Sequence, residues 1–264
     1  HRLETAFGGG KTHTLIACTH LAYKGKEAAG FVGDIINEDR LANPGEISVA
    51  AVAGDELSVQ KPKGTRLVPY TLWGEIAFQL GGETLYGQVE EDAASLAAPG
   101  KTYFETVFEG RKVLLMIDEL AQYAARLSAA MPDGGNQLAA FLMSLHGYAR
   151  TRSGMAILLT LASATDAFAN QTALLAKLLS DVMGKEISKD AALGIGQQAL
   201  KGVGSVVGRD ATTVVPVQPA EISRVLAKRL FDRIESSAAR ETAEDYQTLY
   251  GKNASLLPDD ATLA

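Results

Sequence analysis

The 264-residue chain has one cysteine, one tryptophan and few aromatic residues, 6% in all. A single thiol, Cys18, cannot close an internal disulfide, and its place in an apolar helical pattern predicts a core thiol in a reducing, cytoplasmic setting. Positive charge is also short: the formal net charge is −6 and the isoelectric point about 5.3. That balance excludes a chain-wide positive field of the kind that drives non-specific nucleic-acid binding, while leaving room for a local basic patch. No stretch approaches the roughly 18 apolar residues that would span a bilayer, and no basic-then-apolar leader opens the sequence. Histidine is sparse, and His13, His20 and His146 have no companions at ligand spacing, so no zinc site is indicated.

What the chain does contain is 47% apolar residues, 21% charged residues and 26 glycines. This is the composition of a globular α/β protein, and the length suits one large domain with a small appendage. Apolar runs at 47–53 (ISVAAVA), 112–120 (KVLLMIDEL) and 154–162 (GMAILLTLA) read as strands buried on both faces, and 212–217 (TTVVPV) as a last, edge-like strand. Helical spacing is expected over 12–23, over 72–80 with Gly81 and Gly82 as its stop, and over 136–150. Residues 165–206 read as helix broken by glycines. Strands alternating with helices predict βαβ units around a largely parallel sheet. From residue 218 only helical patterns remain, one opening at Pro219 and one covering 239–250, with Arg224, Lys228, Arg229 and Arg233 on a solvated face.

Two motifs carry chemistry. Residues 5–12 read TAFGGGKT, and Gly10-Lys11-Thr12 with the helix behind it satisfies the right half of the phosphate-loop pattern, although Thr5 stands where glycine is usual. Such a loop needs glycine-rich backbone so that several N–H groups converge on one anion, a lysine for charge and a hydroxyl for Mg2+. Phe7, Gly8, Gly9, Gly10, Lys11, Thr12 and His13 are therefore the candidate nucleotide contacts. About a hundred residues on, an apolar strand ends in Asp118-Glu119, which presents one acid toward the metal and a second toward water. Glu119 is the candidate catalytic base. Beyond the 154–162 strand, Thr160, Ser163 and Thr165 compete as the hydroxyl that senses the γ-phosphate, and Ser163 is preferred. Arg209, before the last strand, is the candidate for neutralising transition-state charge, with Arg150 and Arg152 as alternatives. Trp73 is expected to anchor the core. Because only HRLETA precedes the glycines, the chain is expected to begin inside or at the end of its first strand.

The stretches FGGGKTHTLIA, TLWGEIAFQLGG, VLLMIDELAQYA and VVPVQPAEISRVLAKRLF, in that order, resemble a family of ATP-binding proteins of unknown function. Its members are encoded in prokaryotic anti-phage defence islands beside DNA methylases and helicases, and they are distantly similar to AAA+ ATPases. The resemblance implies an AAA+-like P-loop core over residues 1–217, followed over 218–264 by the start of a helical lid, within a longer protein. It implies ATP and Mg2+ as cofactors, with Lys11 on phosphate, Thr12 on the metal and Asp118 supporting the metal. Arg209 would be a finger reaching an adjoining subunit of a homo-oligomer. The expected function is an ATPase that works with methylase, helicase or nuclease partners. The alternatives are a nucleotide-gated scaffold with negligible hydrolysis and a replication- or transposition-type loader. The acidic balance argues against the loader.

Overall fold

The computed structural model describes residues 1–3, 10–160, 172–210, 212–215, 229–230, 233 and 235–253. Five strands, Arg2–Leu3 (β1), Ser48–Ala53 (β2), Val113–Asp118 (β3), Met155–Thr160 (β4) and Thr213–Val214 (β5), form one parallel sheet. Their order is β2-β3-β4-β1-β5, so the chain leaves β1, crosses to the far edge, walks back through β3 and β4 and then steps over β1 to β5. Ala53 lies level with Asp118, and Leu3 level with Thr160, so the carboxyl ends of four strands share one rim.

The period of two along β3 explains why this strand reads as a continuous apolar run. Val113, Leu115 and Ile117 join one large core, while Leu114 and Met116 face a smaller cluster on the other side. The large core is built by Leu72–Gln88 (α3), Lys101–Phe108 (α5), Leu120–Ala130 (α6), Gly134–Arg150 (α7), Thr172–Met183 (α8) and Lys189–Asp210 (α9). The other face carries Lys11–Lys24 (α1), whose Leu15 and Ala22 pack with Leu3, Val49 and Met116. Cys18 borders this cluster half-buried, and burial pushes its thiol pKa up.

The scarce aromatics are concentrated. Trp73 lies 5.4 Å from Phe141, which stacks on Phe104 at 5.6 Å, and Phe104 stacks in turn on Tyr148 at 6.0 Å. The TLWGEIA stretch does structural work around this cluster. Thr71 caps α3 by accepting the Gly74 N–H at 2.9 Å, and Trp73 Nε1 donates to the Ser95 carbonyl at 2.8 Å. A Cβ on Gly74 would lie 2.7 Å from both the Ala93 carbonyl oxygen and Thr71 Oγ1, so only glycine fits there. Further along α3, the Gln79 amide accepts from the Ala51 N–H at 2.7 Å and donates to the Ala51 carbonyl at 3.0 Å. It thereby occupies the backbone pair that edge strand β2 would offer to another strand.

Several expectations change. Gly81 and Gly82 leave helical geometry where the stop was expected, and beyond this kink the chain forms a second helical segment that runs on to Gln88. The glycines of α9 do not break it, because Ala192, Ala199, Leu200 and Val203 bury one face against α6, α7 and α8. β4 is not buried on both faces. Ala156 is exposed and Leu158 half-buried on the side that α1 covers, and Ile157 is half-buried on the large-core side. Helices α5 and α6 were not anticipated from the sequence. The helical pattern expected from Pro219 lies outside the described residues.

The chain divides into two compact units, residues 1–216 and residues 217–264. In the second unit, Ser236–Lys252 is a helix on which Tyr246 and Tyr250 face each other at 5.6 Å. No helix among the described residues is long and apolar enough to cross a membrane.

Trp73 is fully buried and joins the aromatic cluster through Phe141. Replacing it with Ala is expected to cost about 3–5 kcal/mol, read as a lowered urea midpoint. A midpoint within error of the parent's would show that this cluster does not hold the core.

Candidate active site

Gly10 takes left-handed backbone angles (φ 79°, ψ 9°) and sits at the N-cap of α1, where its carbonyl accepts the Thr14 N–H at 2.9 Å. Lys11 and Thr12 therefore open the helix and share the environment of its unpaired N–H groups. Thr12 Oγ1 donates to Asp118 Oδ2 at 2.8 Å, across 106 positions of sequence. The two motifs singled out from the sequence meet in this one bond. Phe7, Gly8 and Gly9 lie outside the described residues, and His13 is exposed in the first turn of α1.

The other oxygen of Asp118 is equally engaged. Thr160 Oγ1 donates to Asp118 Oδ1, and the Glu119 N–H donates to the same oxygen at 3.0 Å and to Thr160 Oγ1 at 3.2 Å. Of the three competing hydroxyls, Thr160 stands at the acidic strand end; Ser163 and Thr165 lie outside the described residues. Arg209 is in the last turn of α9, and its side chain is also outside them. Arg150 ends α7, and Arg152 pairs with Glu109 at 3.8 Å while covering the Tyr148 ring at 5.2 Å. Arg152 is thus occupied away from the acidic pair.

Glu119 holds a backbone conformation that residues other than glycine rarely take (φ 50°, ψ 37°), directly before α6. Such strain persists where surrounding contacts over-determine it, and it costs on the order of 1–2 kcal/mol. Its constraints are the two hydrogen bonds of its N–H and the close approach of Gly54. The Gly54 N–H donates to the Asp118 carbonyl at 2.9 Å, and a Cβ there would lie 2.7 Å from the Glu119 carbonyl oxygen. Gln122, one turn along, donates to Glu119 Oε2 at 3.3 Å. Partial burial raises the Glu119 pKa from its ordinary value and the negative charge of Asp118 raises it further; the Gln122 hydrogen bond opposes this, Asp55 adds to it and Lys11 opposes it.

Sequence reasoning missed Gly54, Asp55, Gln122 and Arg126. Arg126, 8% exposed, donates from Nη1 to the Leu57 carbonyl at 2.7 Å and ties α6 to the loop after β2. Burial lowers its pKa, and Asp55 works against that shift. The spacing of Glu119, Gln122 and Arg126 at i, i+3 and i+7 marks one helix face and was a readable signal. Asp55 had no such signal, because only the parallel register of β2 with β3 brings it near Glu119.

The donor set suits a small hard cation. Thr12 offers hydroxyl lone pairs while its proton is committed to Asp118, and all nearby protein donors are oxygen. Among the described residues no three His, Cys, Asp or Glu side chains cluster as a closed metal cage. Mg2+ in phosphate sites is held by a few protein oxygens with phosphate and water completing the shell, so these residues fit it.

Residues 45–179, just over half of the chain, match the DUF499 N-terminal domain. The chain belongs to this DUF499 domain family. The match spans β2, β3 and β4 with Asp118, Glu119 and Thr160, and begins after Lys11 and Thr12. No curated protein and no solved structure matches the chain.

The raised pKa of Glu119 has a stability consequence. A carboxyl group that keeps its proton to higher pH when folded contributes stability below the ordinary carboxylate range and loses it as pH rises through the folded value. Glu119→Gln, which cannot ionise, is therefore expected to be more stable than the parent at pH 7, with that margin gone by about pH 4. Denaturant titrations at both pH values measure it, and an equal margin at both would contradict the assignment.

Proposed function

We propose that this DUF499 domain is a P-loop ATPase that binds and hydrolyses MgATP. The observation that carries the reading is the Thr12–Asp118 hydrogen bond, which joins the GGGKT helix start to the acidic end of β3. A parallel α/β sheet with a helix N-terminus and converging side chains at the strands' carboxyl rim supports it, because ligands of such sheets bind at that rim.

Within this reading each residue has a task that its surroundings support. Lys11 and the N–H groups at the start of α1 take the phosphates. Thr12, with its proton held by Asp118, would offer its lone pairs to Mg2+. Bound there, Mg2+ would neutralise charge on the phosphate oxygens during transfer. Asp118 orients Thr12 and fixes the Glu119 backbone, and Thr160 braces Asp118 from β4. Glu119 accepts a proton from the attacking water, and its raised pKa brings it closer to working pH than an ordinary glutamate. Gln122 limits the positions open to its carboxylate.

The resemblance to ATP-binding proteins of anti-phage defence islands supports a wider role. In that role the energy of hydrolysis is delivered to methylase, helicase or nuclease partners, with Arg209 completing the site of a neighbouring copy.

Phosphate release under saturating MgATP is expected to fall at least about a hundredfold in both Lys11→Ala and Glu119→Gln, with nucleotide binding retained only in the second. Unchanged release in Glu119→Gln would remove Glu119 from the base role. ATP binding without release by the parent chain would instead make the domain a nucleotide-gated scaffold.

A further inference from the structure

The loop joining β2 to α3 emerges on the same rim as Asp118, and its two halves differ in character. The base is pinned. The Val59 N–H donates to the Tyr70 carbonyl at 3.0 Å, Gln60 Nε2 donates to the Val182 carbonyl at 2.9 Å, and Arg126 holds the Leu57 carbonyl. Leu57, Val59 and Tyr70 are buried, and Val59, a β-branched residue, sits at φ 54°, a conformation that only firm surroundings maintain.

The tip is different. Lys61, Lys63, Gly64, Thr65 and Arg66 are exposed, with Pro62 stiffening the turn between the two lysines. No Asp or Glu occurs from Leu57 to Gly74. Some exposed cations elsewhere pair with acids: Lys101 with Glu105 at 3.2 Å, Lys112 with Glu46, and Arg233 with Glu235 at 3.4 Å. Lys61, Lys63 and Arg66 have no ion-pair partner among the described residues. A chain of net charge −6 thus carries three positive charges close together on the tip of a short arm fixed at its root, with the loop's two acids, Asp55 and Glu56, at that root.

We propose that this tip is a contact for the phosphate backbone of duplex DNA, read without regard to sequence. The segment from Lys61 to Arg66 spans at most about 18 Å when extended. That length covers about five steps of one strand at 3.4 Å each, enough for three cations to meet three phosphates. Residues 58–69 contain no aromatic side chain on which an unstacked base could lie, which disfavours a single strand. No helix or β-ribbon projects from the tip into a groove, so the bases themselves go unread. The proposal stands on exposure, charge and the pinned root, and is independent of the ATPase reading.

The test is fluorescence anisotropy of a labelled 25-base-pair duplex with the full chain at a series of salt concentrations. Three phosphate contacts predict a slope of about −2.7 in log K against log salt, or about a forty-fold loss of affinity between 50 and 200 mM. K61A/K63A/R66A, changed only at exposed positions, is expected to abolish most of that slope, whereas K61R/K63R/R66K keeps it. The proposal is overturned if the parent fails to bind at 50 mM salt, if the alanine variant binds like the parent, or if a single strand of equal length binds more tightly than the duplex.

Discussion

Four segments meet on the carboxylate of Asp118. It accepts the Thr12 hydroxyl from the start of α1, the Thr160 hydroxyl from the end of β4 and the Glu119 N–H from the start of α6. A half-buried carboxylate with this many donors constrains the relative positions of everything that donates to it, because each lost bond would leave a polar group poorly paired. The strained backbone of Glu119 follows from that constraint. With its N–H drawn back onto Asp118 and Thr160, and Gly54 packed against its carbonyl, residue 119 has little choice of angles.

The same constraint reaches into the packing of the domain. Gly54 bonds the backbone of Asp118, and Arg126 on α6 holds the loop that follows Gly54, so β2, its loop and α6 are tied to the acidic pair. Behind them, Tyr123 of α6 accepts the Leu72 N–H at 3.0 Å, and Tyr103 donates to the Trp73 carbonyl at 2.6 Å. Through these bonds the aromatic core and the candidate site share a scaffold. The TLWGEIA stretch thus has a structural explanation: cap, core anchor and a glycine under which Ala93 passes.

Legibility in the sequence tracked how local the physics was. β2 and β3 were readable because a strand covered on both faces must be apolar at every position, and α1 because a glycine-rich start precedes regular helical spacing. The interruption expected at Gly81-Gly82 is present as a kink, whereas the breaks expected in α9 failed for one reason. Propensity costs glycine only about 1 kcal/mol per helical position, which burial of the opposite face outweighs. β4 was misread in the other direction, since its apolar run says nothing about how fully either face is covered.

By itself the sequence determined the parallel α/β class and the pairing of GGGKT with Asp118-Glu119, because hydrophobic period and motif spacing are properties of the chain. It named Lys11, Thr12, Asp118 and Glu119 on chemistry alone. Only the tertiary structure decided that Thr160 braces Asp118, that Gly54 and Arg126 lock the loop after β2 to the acidic pair, and that Asp55 adds to the charge around Glu119. Those contacts join residues tens of positions apart, and they exist only once the strand order and the register of β2, β3 and β4 bring the carboxyl ends to one rim.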